Sequence, residues 1–221
     1  MRSRTDELDA SYVSVPESIT FPTTDDTVSH ALYYAPRHAE IEGPPDERPP
    51  LVVMSHGGPT SATSGAYNAA IQFWTTRGIA VADVDYRGST GYGRDYRRAL
   101  NLNWGIVDTD DCIAAAAYLV DRGDVDGARL TIRGGSAGGY TTLCALAFHD
   151  VFQAGASYFG VADAEALATD THKFESRYLD SMIGPYPEAA ATYKERSPIH
   201  FADQISAAVI LFQGLEDEVV P

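Results

Sequence analysis

The sequence predicts an α/β fold with a mainly parallel sheet and helices on both faces. Three observations predict it. Short, wholly apolar runs such as 51–54 and 209–212 end at polar or glycine residues, as strands buried on both faces do. These runs alternate along the chain with stretches of helical spacing. The glycine-dense segment 134–139 joins one such run to a helix with almost no loop between them.

In order, residues 1–16 read as a polar lead-in to a single domain, 17–221. Strand-like runs at 18–21 and 28–34 come first, and the Pro-rich, charged loop 37–50 ends that hairpin region. Then follow a strand at 51–54, a helix at 65–77 and a strand at 79–84. A helix at 109–121 opens on Thr and Asp residues able to cap it. A strand at 129–132, a helix at 137–149, a strand at 154–158 and a last strand at 207–212 complete the pattern. Such alternation implies right-handed crossovers. The segment around 163–200 is longer and less regular, holds a helix around 174–183, and is read as a cap-like insert.

The chain has 221 residues, 44% of them hydrophobic, enough for one substantial core. The net charge is −15 and lysine occurs only at Lys173 and Lys194, so a nucleic-acid partner and an anionic membrane surface are both excluded. The acidity reads as solubility, with steering of cationic substrates as the functional alternative. Cys112 and Cys144 make no disulfide framework and read as small buried hydrophobes. Residues 1–10 hold no apolar signal region, and no long apolar stretch follows, so the expected location is cytoplasmic.

The chemistry centres on Gly134-x-Ser136-x-Gly138. Where a strand turns into a helix this abruptly, the central Ser is forced into a strained conformation and its hydroxyl stands clear of the sheet. Small neighbours are required because helix and adjacent strand press on the turn, and four glycines and an alanine surround Ser136. The motif makes Ser136 the candidate nucleophile of an α/β-hydrolase; a glycine-rich phosphate-binding turn is the alternative for the motif taken alone. His56-Gly57-Gly58-Pro59 directly follows the strand at 51–54, in the loop that supplies one oxyanion donor in this fold. The expected donors are the N–H groups of Gly58 and Ala137, each worth about 3–4 kcal/mol to a transition state. His56 is read as holding its loop rather than as a base. Tyr92, in the loop 85–93, is either a third oxyanion donor or a packed loop aromatic. A carboxylate past the last strand, among Glu216, Asp217 and Glu218, is expected as the acid, in the order Ser, acid, His.

Jointly, HGGP at 56–59, YRGSTGYG at 86–93, the WG and DxDD pieces within 104–111, GGSAGGY at 134–140 and GLEDEVVP at 214–221 resemble the prolyl oligopeptidase family. The branch they resemble is that of acylaminoacyl peptidases and dipeptidyl aminopeptidases. The resemblance implies peptide-bond hydrolysis of short peptides through an acyl-enzyme on Ser136, with no metal and no cofactor. It selects Asp217 as the acid and matches Tyr92 to an oxyanion tyrosine. It also implies a histidine some tens of residues after the acid, whereas His30, His38, His56, His149, His172 and His200 all precede Asp217. The expectation is therefore a partial α/β-hydrolase catalytic domain at 17–221, incomplete at the C-terminus and close to inactive alone. An exposed sheet edge would follow, leaving pairing into a homo-oligomer open.

Other residues carry lesser expectations. Arg133 is expected to pair with Asp83 or Asp85. Asp108, Asp110 and Asp111 are expected to serve a helix start rather than a metal. Phe174, Tyr178 and Met182 are spaced as a packing stripe that would line a substrate pocket if the insert folds over Ser136, and Glu175 is read as surface charge. The rival functions are a carboxylesterase, against which HGGP and the 86–93 loop speak, and a non-catalytic remnant.

Overall fold

The computed structural model describes residues 9–170, 177–217 and 220. β1 (Glu17–Thr23) and β2 (Thr27–Tyr34) form an antiparallel hairpin, turning where Asp25 and Asp26 take positive φ, a conformation Asp tolerates. After the 37–50 loop come β3 (Leu51–Ser55), α1 (Ala69–Thr75), β4 (Ala80–Asp85), α2 (Arg94–Arg98), α3 (Val107–Asp121), β5 (Leu130–Gly135), α4 (Ala137–Phe148) and β6 (Ala154–Tyr158). The segment before the last strand folds into α5 (Ala164–Asp170), α6 (Tyr178–Met182) and α7 (Ala190–Glu195), and β7 (Ala208–Phe212) follows.

The sheet order is β1-β2-β4-β3-β5-β6-β7, with five parallel strands from β4 to β7 and β2 antiparallel against β4. Because those five strands run one way, the loops after β3, β4, β5, β6 and β7 gather at one edge of the sheet. α3 and α4 cover one face, where Cys112, Leu119 and Leu146 pack on Leu51, Val53, Ala82 and Ile132. α1 covers part of the other, with Ile71 on Tyr34, Val52 and Val81. Both cysteines are free and buried. β7 stands at the sheet edge with all five residues exposed, Leu211 at 64%. The three helices after β6 supply a separate cluster, in which Leu167, Leu179, Met182 and Tyr193 meet Trp104, Ala137 and Tyr140 beside the start of α4.

Two expectations need correction. Arg133 pairs with neither aspartate. Both Asp83 and Arg133 stand opposite Met54, because β3 lies between β4 and β5 and separates them by two strand spacings, about 10 Å. The Arg133 guanidinium instead lies over the Tyr158 ring, 4.7 Å from its centroid. The helix expected at 174–183 is described only as the short α6, and Phe174 and Glu175 lie outside the described residues.

The acidic start of α3 divides its duties. Asp108, fully buried, accepts from Gly105 N (2.6 Å) and Thr141 Oγ1 (2.6 Å), tying α3 to α4. Asp111, also fully buried, accepts from Arg87 N (2.7 Å), Arg87 Nε (3.0 Å) and Thr23 Oγ1 (2.7 Å), so it joins β1, the loop after β4 and α3. Removing the carboxylate takes the acceptor from Arg87 N and Thr23 Oγ1 and leaves a guanidinium whose side chain is only 4% exposed with the exposed Asp25, at 3.0 Å, as its remaining ion partner. Asp111→Ala is expected to destabilise the chain by about 3–5 kcal/mol, read as a fall in urea midpoint at unchanged slope. A change below about 1 kcal/mol would place this pair among the weak surface bridges.

Asp83 carries a pH signature. Burial, with the nearby Asp85 charge, pushes its carboxyl up to about 7. In an unfolded chain an Asp releases its proton near pH 4. The folded form therefore keeps a proton that the unfolded form loses, and stability falls as pH rises from about 4 through 7. Asp83→Asn removes that dependence. Its melting temperature should exceed the parent's by more at pH 8.5 than at pH 5; an equal offset at both would contradict the assignment.

Candidate active site

Ser136 is the single residue between β5 and α4. Its backbone sits at φ 55°, ψ −120°, a conformation that costs an L-residue about 1–3 kcal/mol. Two backbone bonds hold it there: Ser136 N donates to Tyr158 O and Tyr140 N donates to Ser136 O, both at 3.0 Å. The glycines are dictated by contact. A Cβ on Gly138 would lie 2.1 Å from Ser55 O, and one on Gly134 would lie 2.2 Å from Gly138 O. Ser55 Oγ also donates to Gly138 O (2.8 Å), so the end of β3 is locked against the first turn of α4.

That lock brings the loop after β3 onto the elbow. A Cβ on Gly57 would touch Gly135 O at 3.2 Å and Ser136 Cβ at 3.6 Å. Gly58 follows at φ +131°, where a side chain would be strained. Gly58, Ser136 and Ala137 line one cavity of about 50 Å³. Its apolar wall comes from Trp104, Val161, Leu167, Tyr178 and Val220. Tyr178, from the segment after β6, also bonds to Thr60 Oγ1 (2.9 Å) in the Gly58 loop. Met182 of the expected stripe is buried in the core beneath α4 instead. A second cavity, about 250 Å³, shares Val161, Leu167 and Val220 with the first.

His56 does not face Ser136. Its Nδ1 donates to Gly57 O (2.8 Å), its Nε2 meets Ser89 Oγ (2.7 Å), and its ring stacks on Tyr86 at 4.3 Å. Burial depresses its pKa, offset in part by the Gly57 hydrogen bond and the Asp85 charge. Tyr92 corrects the reading of it as an oxyanion donor. Its hydroxyl donates to Asp85 Oδ2 (2.8 Å), and its ring stacks on His30 with centroids 4.1 Å apart. The strong acceptor at Asp85 engages the proton an oxyanion would need.

Asp217 accepts from Val220 N (3.0 Å) and Gln213 Nε2 (3.2 Å), and Val220 lines the Ser136 cavity. Glu216 is exposed, and Glu218 lies outside the described residues. Among the described residues no histidine is hydrogen-bonded to Ser136; His172 lies outside them. Sequence reasoning missed Trp104, Val161, Leu167 and Val220 as walls of the cavity. The WG pair at 104–105 was the one local signal.

Comparison with known proteins agrees with this fold. Residues 66–221 match the sequence model of the prolyl oligopeptidase family. A dipeptidyl aminopeptidase BIII from Pseudoxanthomonas mexicana is 34% identical over 190 residues, covering 82% of this chain and 28% of that protein. A puromycin-hydrolyzing peptidase from Mycobacterium tuberculosis superposes with a TM-score of 0.95 at 48% identity, covering 97% of this chain and 33% of the other. The Pyrococcus horikoshii acylaminoacyl peptidase gives 0.83 at 26% identity, covering 93% and 33%. The chain thus spans about a third or less of the length of these relatives.

Proposed function

The chain belongs to the prolyl oligopeptidase family, and from that premise we propose that it carries the nucleophile and oxyanion hole of a serine peptidase acting on short peptides. The observation that carries the reading is the cavity shared by Ser136, Ala137 and Gly58, with Ser136 held at φ 55° above the start of α4. Ser136 Oγ attacks the scissile carbonyl, and its proton passes to a histidine base. The carbonyl oxygen, now negative, is received by the N–H groups of Gly58 and Ala137, which are fixed before the reaction begins. Collapse expels the amine, which takes that proton back from the histidine as the C–N bond breaks, and water, deprotonated by the same base, then hydrolyses the acyl-enzyme and returns the proton to Ser136 Oγ. Asp217 is the carboxylate that would orient the base.

The wall formed by Trp104, Val161, Leu167 and Val220 supports a compact apolar side chain on the acyl side of the bond. The relative named for puromycin hydrolysis suggests an amide of a single amino acid among the substrates. The test uses the full-length gene product with aminoacyl anilides, puromycin and short-chain acyl esters. Faster kcat/KM on the amides supports the peptidase; turnover of esters alone would assign the site to a carboxylesterase.

A further inference from the structure

We propose that Asp85 is a positioning residue for the oxyanion hole, holding the loop that carries Gly58 against Ser136, and that Tyr92 acts through it. The proposal rests on the reading of Ser136 and Gly58 given under the proposed function, but not on whether the substrate is an amide or an ester.

Asp85 ends β4 and is 4% exposed. Its carboxylate collects three hydrogen bonds: Thr63 N at 2.7 Å, Thr63 Oγ1 at 3.0 Å and the Tyr92 hydroxyl at 2.8 Å. Its carbonyl accepts from the Tyr96 hydroxyl at 2.5 Å, and its backbone is paired with His30, whose ring backs Tyr92. Asp85 therefore joins the loop after β3, the loop after β4 and the hairpin strand β2.

Gly58 has no side chain to fix its own orientation and stands five residues before Thr63. The loop is pinned on either side of it. Upstream, Tyr86 Oη donates to His56 O (2.9 Å); downstream, Thr90 N donates to Ser61 O (2.7 Å) and Thr63 is held by Asp85. A carboxylate anchor suits this task because hydrogen bonds to an ionised acceptor are shorter and stronger than neutral ones. A nearby negative charge repels an oxyanion, so the carboxylate cannot assist it electrostatically. Its contribution is geometric, and an amide donor displaced by a fraction of an ångström is the quantity it controls.

The test compares Asp85→Asn, Tyr92→Phe and the double variant in the full-length gene product, with turnover expressed per phosphonate-titrated active site. Asparagine keeps an oxygen for Thr63 N but replaces the oxygen that faces two hydroxyls. We expect kcat to fall about 10- to 100-fold in Asp85→Asn with KM within about threefold, the range of a weakened oxyanion donor. Tyr92→Phe should cost less and add little in the Asp85→Asn background, because both changes act on one carboxylate. Unchanged kcat per titrated site, or fully additive losses, would overturn the proposal. Should Asp85→Asn fail to fold, Thr63→Val and Tyr92→Phe each remove one donor and are read by the same split. If the parent hydrolyses esters but not amides, the peptidase reading fails, while the ester kcat of these variants still decides the role of Asp85.

Discussion

Ser136→Ala is expected to lower amide turnover of the full-length gene product by about 10⁶ while leaving the melting temperature unchanged. The size follows from the role. Without Oγ no acyl-enzyme forms, and only the oxyanion donors and substrate binding remain to assist water. The unchanged stability follows from the backbone. Alanine keeps the Cβ, so the strain at φ 55° is the same in both proteins, and the two backbone bonds that hold the residue are untouched. Among the described residues the hydroxyl has no hydrogen bond whose loss could loosen the elbow. Residual activity above about 1% of the parent would mean that another group attacks the substrate.

Gly138→Ala is expected to damage activity less than Ser136→Ala and stability far more. Its methyl group would sit 2.1 Å from Ser55 O, 2.7 Å from Ser55 C and 2.8 Å from His56 O. All three are backbone atoms, so no rotamer change relieves the contact. Either α4 lifts from the sheet or the end of β3 moves. Overpacking of flexible side chains costs about 1–3 kcal/mol, and a rigid clash of this depth should exceed that range. Both escapes also displace Gly57 and Gly58 from Ser136, so protein that still folds should lose at least about 100-fold in kcat, the scale of one oxyanion donor. Thermal melts and turnover read the two effects separately. A variant that melts and turns over like the parent would show that the first turn of α4 is not seated on β3 as described.

The parts of the molecule legible from sequence are those governed locally. The seven described strands were located to within a few residues: β3 and β4 are buried on both faces and leave a nearly unbroken apolar run, β1 and β2 were read from a loose alternation, and β7 keeps an apolar run although its residues are exposed. The elbow was equally legible, since its glycines are needed by the turn itself. Short helices were not. α2 is RDYRR, with no buried residue, and it forms between loops fixed by other contacts, so no periodicity announces it. α5 and α7 likewise draw their stability from packing around Tyr193 and Leu167. Partners across the sheet were illegible for another reason. Chain order does not reveal that β3 is inserted between β4 and β5, and that insertion separates Arg133 from Asp83. Tyr92 illustrates the same limit: its motif placed it near the site, but only the fold shows its hydroxyl spent on Asp85.

The most direct measurement is a crystal structure of the full-length gene product after reaction with a peptide phosphonate. The account predicts a covalent bond to Ser136 Oγ and a phosphoryl oxygen about 2.7–3.1 Å from both the Gly58 and Ala137 nitrogens. A phosphonate on a different residue, or an oxygen held by Tyr92 with Gly58 turned away, would contradict it.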